Sequence, residues 1–336
     1  LHKAIRRQRQ MCIRDRGKTT LAEAMLYRTG KLRKIGRVDH GDTALDTHTL
    51  ERERGITIFA SQAVFSTDKI EVTLLDTPGH VDFSSETERT LSVLDYAILV
   101  ISGLDGVQSH TMTLWKLLKL YNVPTFVFVT KMDFARKSRE EIIENLNSEL
   151  DGEFVDFGDE EAVSENMALC SESLMEKYLS GEAIDEKEIA EAIKLRKIFP
   201  CFFGSGLKLD GIDKFIKALE EYTIQPEYPE VFGAKVFKIS HDSQGVRLTH
   251  IKVTGGSVKV REMIGDEKIS GIRIYSGAKF TTADEVGSGE ICALTGLDKT
   301  HNGQGLGFED AGEKPTLEPV MNYRVAVSYT HLRAHE

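Results

Sequence analysis

Five short clusters in this 336-residue chain carry side chains suited to handling a nucleoside triphosphate, and they follow one another in a definite order. Gly17-Lys18-Thr19-Thr20 opens a helical pattern. In a phosphate-binding loop the backbone N–H groups of a helix start hold phosphate oxygens. The lysine there reaches the β- and γ-phosphates, and the hydroxyl after it binds magnesium. Arg54-Gly55-Ile56-Thr57 offers a second hydroxyl, Thr57, able to bind the metal and sense the γ-phosphate. Asp76-Thr77-Pro78-Gly79-His80 follows an apolar run. An aspartate at a strand's C-terminal end faces the ligand crevice and can hold magnesium through water, and Gly79 lets a backbone N–H approach the γ-phosphate. Thr130-Lys131-Met132-Asp133 places a carboxylate where it can accept two hydrogen bonds from guanine, a donor pair that adenine lacks. Gly204-Ser205-Gly206-Leu207 can touch the base through its backbone. Taken singly, each cluster has an ordinary explanation: a helix start, a solvated charged face, a Pro-Gly turn, an exposed charged loop, a Gly-rich turn. Their joint order points to a guanine-nucleotide switch.

Such clusters work only at the ends of rigid elements, and the flanking sequence supplies them. Helical patterns over 18–29, 84–94, 108–121, 137–150, 186–197 and 212–222 alternate with strand-like runs at 62–66, 70–75, 96–101, 125–129 and 199–203. Short apolar strands separated by amphipathic helices predict a mostly parallel sheet covered on both faces. The acidic stretch Glu153–Glu165 reads as a solvated insertion, and Trp115 as core. After Pro226 and Pro229 the pattern changes to short alternating segments (234–239, 245–253, 257–260, 267–275, 291–294) punctuated by glycines, as expected of a small antiparallel β-barrel.

The composition is that of a globular protein: 40% apolar, 29% charged, net charge −10. The acidic balance argues against indiscriminate nucleic-acid binding, and no DNA partner is expected. No apolar run is long enough to cross a membrane, no signal sequence is visible, and the four separated cysteines form no CxxC pair, so a cytoplasmic protein is expected. The two ends read differently from the rest. Residues 1–16 are strongly basic, and RRQRQM (6–11) cannot be the apolar central strand that should precede a phosphate loop. Residues 328–336 carry two histidines and no apolar period. Both ends are expected to be non-native segments, with ordinary disordered termini as the alternative.

With these motifs in place, the chain resembles the N-terminal part of a translational GTPase of the elongation factor G type over residues 17–327. LERERGIT (50–57), LLDTPGHVDF (74–83), SVLDYAILVISGLDGVQSHT (92–111) and FFGSGLKLDGID (202–213) resemble most the tetracycline-resistance ribosomal protection branch. The resemblance implies an α/β P-loop GTPase domain (17–224), a translation-factor β-barrel (230–314) and the start of a truncated third domain (315–327). It implies GTP/GDP and Mg2+ as ligands, the ribosome, its RNA and proteins, as partner, and a monomer. Lys18, Thr19 and Thr20, with Asp15 and Gly17, would then surround the phosphates. Thr19, Thr57 and Asp76 would serve the metal, with Gly79 at the γ-phosphate. Thr130, Lys131, Asp133, Ser205, Gly206 and Leu207 would surround the base. His80 would position the attacking water; a structural histidine in a turn is the alternative. Thr130 departs from the family's usual asparagine, and Cys12, Arg14 and Arg16 from its small and apolar loop residues. The activity implied is GTP hydrolysis in translation, as tetracycline protection, with translocation or release-factor recycling as neighbours. A non-catalytic ribosome-binding module with a degenerate site is the alternative of a different class.

Overall fold

The strand TFVFVT, Thr125–Thr130 (β4), organises the front half of the molecule, because alternate side chains point to opposite faces and all six residues are buried. Phe126 and Phe128 enter one apolar core, Val127 and Val129 a second. A strand that is apolar on both faces belongs inside a sheet. Accordingly β4 lies between β3 (Ala97–Ser102) and β6 (Phe199–Phe203), with β5 (Phe154–Asp156) at the edge, all parallel, in the order β3-β4-β6-β5. The computed structural model describes residues 16–36, 43, 45, 57, 60–79, 84–277 and 279–309. The expectations placed on residues 1–15, 54–56, 80 and 310–336 lie outside them.

Helix α1 (Lys18–Arg28), together with the α5 (Glu160–Ala168), α6 (Glu172–Ser180), α7 (Glu186–Lys194) and α8 (Ile212–Tyr222) helices, contributes to the core around Phe126 and Phe128. The opposite face is covered by α2 (Ser84–Leu91), α3 (Ser109–Leu120) and α4 (Arg139–Glu149). Trp115 on α3 is core, as expected, with its ring centroid 4.6 Å from that of Phe199 and 5.0 Å from that of Phe154. The antiparallel pair β1 (Ser61–Ser66) and β2 (Glu71–Asp76) has Ser61 directly opposite Asp76. The mostly parallel, doubly covered sheet anticipated from the sequence is present.

Two expectations fail here. Glu153–Glu165 is not a solvated insertion. Phe154, Val155 and Phe157 are buried, Phe154–Asp156 pairs with β6, and Val163 and Met167 of α5 reach the core. Glu153, Asp159, Glu161 and Glu165 are exposed, and the number of acids hid an inward apolar pattern. The segment expected as one strand over 267–275 is two. Glu267–Lys268 (β11) pairs with Met263–Ile264 (β10), whereas Gly271–Ser276 (β12) joins a larger sheet, with Ile269 buried between them.

That larger sheet is antiparallel, in the order β13-β12-β15-β8-β7-β16, with β7 Gly233–His241, β8 Arg247–Gly255, β13 Lys279–Ala283, β15 Ile291–Thr295 and β16 Gly305–Gly307. With the pair β9 (Ser257–Lys259) and β14 (Glu285–Gly287) it encloses one apolar core that includes Val236, Ile251, Val258, Val286 and Leu294. The two halves share a small cluster of Val93, Phe237 and Ile291, with Leu75 against it. Gly277 N donates to Gln62 O at 2.7 Å, and Lys238 Nζ to Ala60 O at 2.7 Å. Elsewhere between the halves, Lys252 is buried and ion-paired to Asp95.

Candidate functional site

At the N-terminus of α1, Gly17 holds the cap position with φ +83°, a left-handed conformation costly for any residue with a Cβ. The turn it makes presents Lys18 and Thr19 at the C-terminal end of β2. The Thr19 hydroxyl donates to Asp76 Oδ2 at 2.8 Å, and Thr57 Oγ1 lies 3.1 Å from Thr19 Oγ1. A hydroxyl has one proton, so Thr57 is the donor toward Thr19. All three residues are buried. Lys18 Nζ lies so close to Gly79 that a Cβ built on that glycine would sit 2.0 Å from it. Lys18, Thr19, Thr57, Asp76 and Gly79, drawn from three separate stretches of sequence, therefore meet at one point.

Arg16 also reaches this point, and its contacts were not anticipated. The side chain is buried, with Nη1 donating to Thr111 Oγ1 at 3.2 Å and Nη2 to Gly79 O at 3.4 Å. Burial lowers its pKa from the ordinary arginine value. Sequence reasoning marked Arg16 only as a departure from a small loop residue. The signal for its contacts is length alone, since a guanidinium at that position can span to the neighbouring turn.

The clusters expected at the base assemble behind the turn at Gly17. Thr130 Oγ1 donates to Arg16 O at 2.6 Å and lies 3.2 Å from Ile101 O, so the hydroxyl ties the end of β4 to the turn that opens α1. Thr130, marked in the sequence as a departure from the usual asparagine, thus makes this tie through its hydroxyl. Lys131 adopts φ +58°, uncommon outside glycine, in the turn that leads to Asp133. Gly206 packs on α1, where a Cβ would lie 3.2 Å from Thr20 Cγ2. Ser205 is buried and exchanges backbone bonds with Asp210, each 3.1 Å, whereas the Leu207 side chain is exposed. Asp133 has a side chain only 15% exposed and an ion pair to Lys208, 3.1 Å. Lys208 was not singled out from the sequence, although it directly follows Leu207. Asp15 and His80 lie outside the described residues.

Chemically, the Thr19–Thr57–Asp76 group offers hard oxygen donors with a single carboxylate. That set fits a magnesium ion that keeps most of its waters. Among the described residues no three His, Cys, Asp or Glu side chains form a metal-holding group, so a site built on several carboxylates or imidazoles is not found there. No helix of the described residues is long and apolar enough to cross a membrane.

Comparison with known proteins agrees with this architecture. The chain is 32% identical over 329 residues to the tetracycline resistance protein TetP of Clostridium perfringens, covering 88% of this chain and 50% of that protein. It is 34% identical over 310 residues to TetW of Butyrivibrio fibrisolvens (83% and 48%) and 32% identical over 305 residues to TetM of Staphylococcus aureus (83% and 48%). The chain thus spans about half the length of the curated relatives it matches. A crystal structure of a Thermus thermophilus protein superimposes with a TM-score of 0.78 at 24% identity, over 89% of this chain and 53% of that one, and shares the fold. The family described as "Elongation factor Tu GTP binding domain" matches residues 8–225, and the chain belongs to it.

Proposed function

We propose that this chain is the front part of a ribosome-associated GTPase that converts GTP and water to GDP and phosphate during translation. The observation that carries the reading is the Thr19 hydroxyl, bonded at once to Asp76 and in contact with Thr57. In a nucleotide switch those three groups surround the metal and the γ-phosphate. Residues 17–224 form the nucleotide domain, 230–314 the barrel and 315–327 the start of a third domain, with 1–16 and 328–336 non-native.

In this reading the α1 N-terminus and Lys18 hold the β- and γ-phosphates, and Gly79 offers its N–H to the γ-phosphate. Thr19 and Thr57 supply hydroxyls, and Asp76 a carboxylate, at the metal position. Mg2+, when bound there, supplies charge neutralisation across the phosphates. Thr20 completes the phosphate side, with Asp15 as the residue of the otherwise altered segment 1–16 that matches the family, and Ser205, Gly206 and Leu207 edge the base. Asp133 accepts from the guanine N1–H and amino groups, with the Lys131 stem over the ring and Thr130 fixing the loop. His80 positions the attacking water, since phosphoryl transfer needs orientation more than a strong base. Supported by relatives named for tetracycline resistance, the biological role is ribosomal protection against tetracycline by a cytoplasmic monomer. Translocation and release-factor recycling are the neighbouring roles.

Competition binding tests the base assignment: GTP and GDP displace a labelled guanine nucleotide and ATP does not; equal displacement by ATP sinks the role of Asp133. Phosphate release in the presence of ribosomes, lost on His80→Ala, tests turnover. The buried Arg16 side chain, bonded to Gly79 and Thr111, favours one second reading, a module that docks on the ribosome without hydrolysis. Ribosome-dependent phosphate release by the full chain excludes it.

A further inference from the structure

The two loops flanking the proposed base position are joined before any ligand chemistry is considered. Met132 N donates to Gly204 O at 3.2 Å, linking the loop after β4 to the loop after β6. The second loop is closed by the Ser205–Asp210 bonds and leaves no room at Gly204, where a Cβ would lie 2.1 Å from Asp210 O. Lys208 stands at the tip of this closed loop. Its ammonium lies 3.1 Å from Asp133 Oδ2, with the two side chains 66% and 15% exposed.

From this we infer that Lys208 tunes nucleotide release: its ammonium competes with the donors of a guanine nucleoside diphosphate for the Asp133 carboxylate, loosening the grip on the base. The inference rests on the proposed reading of Asp133 as the guanine-recognising group.

The chemistry is that of one acceptor with two kinds of suitor. An ionised carboxylate only accepts, through two oxygens. Guanine uses both, one for N1–H and one for the amino group. An ammonium is a compact charge with three donors on a flexible stem, so it can hold Oδ2 from outside the base plane and draw charge from it. A guanidinium in the same place keeps the pair. Because the lysine end of the pair is open to water, the interaction is of the exposed class, and its effect is a few-fold rather than orders of magnitude. For the same reason salt screens it.

Stopped-flow release of a fluorescent GDP derivative from the full chain tests this. At about 50 mM salt Lys208→Met is expected to slow release about two- to five-fold. The difference collapses at about 500 mM salt, and Lys208→Arg releases at the wild-type rate. In an Asp133→Asn background loaded with xanthosine diphosphate, whose 2-oxo group accepts from the amide, Lys208→Met has no effect. Release from Lys208→Met at the wild-type rate or faster in low salt overturns the inference while guanine recognition stands. So does a slowing that survives high salt, or one that persists with Asp133→Asn and xanthosine diphosphate. Failure of the wild-type chain to bind the GDP derivative overturns the guanine reading itself, and the inference with it.

Discussion

Gly79 shows how much one missing methyl group decides at the proposed phosphate end. Any Cβ there meets the Lys18 ammonium, 2.0 Å away, but the ammonium is the end of a flexible stem and can move aside. Gly79→Ala should therefore leave stability within about 0.5 kcal/mol of wild type. It should weaken guanine-nucleotide binding about ten-fold or more, the scale of one charge-assisted hydrogen bond. Parallel urea unfolding and equilibrium binding check this; a large loss of stability with unchanged affinity would refute it. Thr130 makes a related point. Its hydroxyl reaches the Arg16 carbonyl from a side chain shorter than the asparagine usual at that place, so the tie depends on a close approach of backbone to β4. The sequence exposed the change of residue but not that approach, because distance between loops is set by packing elsewhere.

At the scale of elements, strand β8 carries an unusual histidine. His250 lies between Phe237 and Tyr275, ring centroids 6.1 and 5.9 Å away, with Nε2 2.8 Å from Ser240 Oγ. Burial, with the Lys238 charge adding to it, pulls its imidazole down to about 3 from 6.5. Between those values the unfolded chain binds a proton that the folded chain refuses, so stability is whole above pH 6.5 and falls as the pH drops toward 3. The slope is at most ~1.4 kcal/mol per pH unit for one group. The urea midpoint of the wild type should decline from pH 7 to about pH 5, above the range where carboxylates titrate, and decline less in His250→Gln. Equal slopes would remove His250 as the cause. Elements of this kind differ in how far the sequence revealed them. β4 and β6 were plain, because strands apolar on both faces leave few other readings. β13 was not, since four of its five residues are exposed and it is held by backbone pairing to β12. α5 was masked by its acids, whereas α6 was missed although its start carries a readable signal, the Ser171 side chain accepting from Leu174 N at 3.3 Å.

Across the whole molecule, the front and rear halves meet through charge as well as apolar contact. Lys252, its ammonium buried, depends on Asp95, which also accepts from Tyr228 OH at 3.3 Å. Burial lowers the Lys252 pKa, and Asp95 opposes that shift. Asp95→Ala leaves the ammonium without its carboxylate and should cost about 1–3 kcal/mol. Lys252→Met in the same background should recover most of the loss, as a double-mutant cycle by chemical denaturation would reveal. Additive effects would mean that the pair contributes nothing across the interface. The order of the five clusters was legible from residues alone; this joint was not, because Asp95 and Lys252 lie in separate sequence patterns and only the fold brings them together. A second link has a practical consequence. Ala60, bonded to Lys238 from the barrel, immediately precedes Ser61, the residue paired with Asp76. Cutting the chain between the halves thus does more than expose Leu75 and Val93 to solvent: it removes a brace one residue from the strand partner of the carboxylate at the proposed metal position. A dissected front half is consequently a poor stand-in for the intact chain, and the barrel acts as part of the scaffolding of the proposed nucleotide pocket.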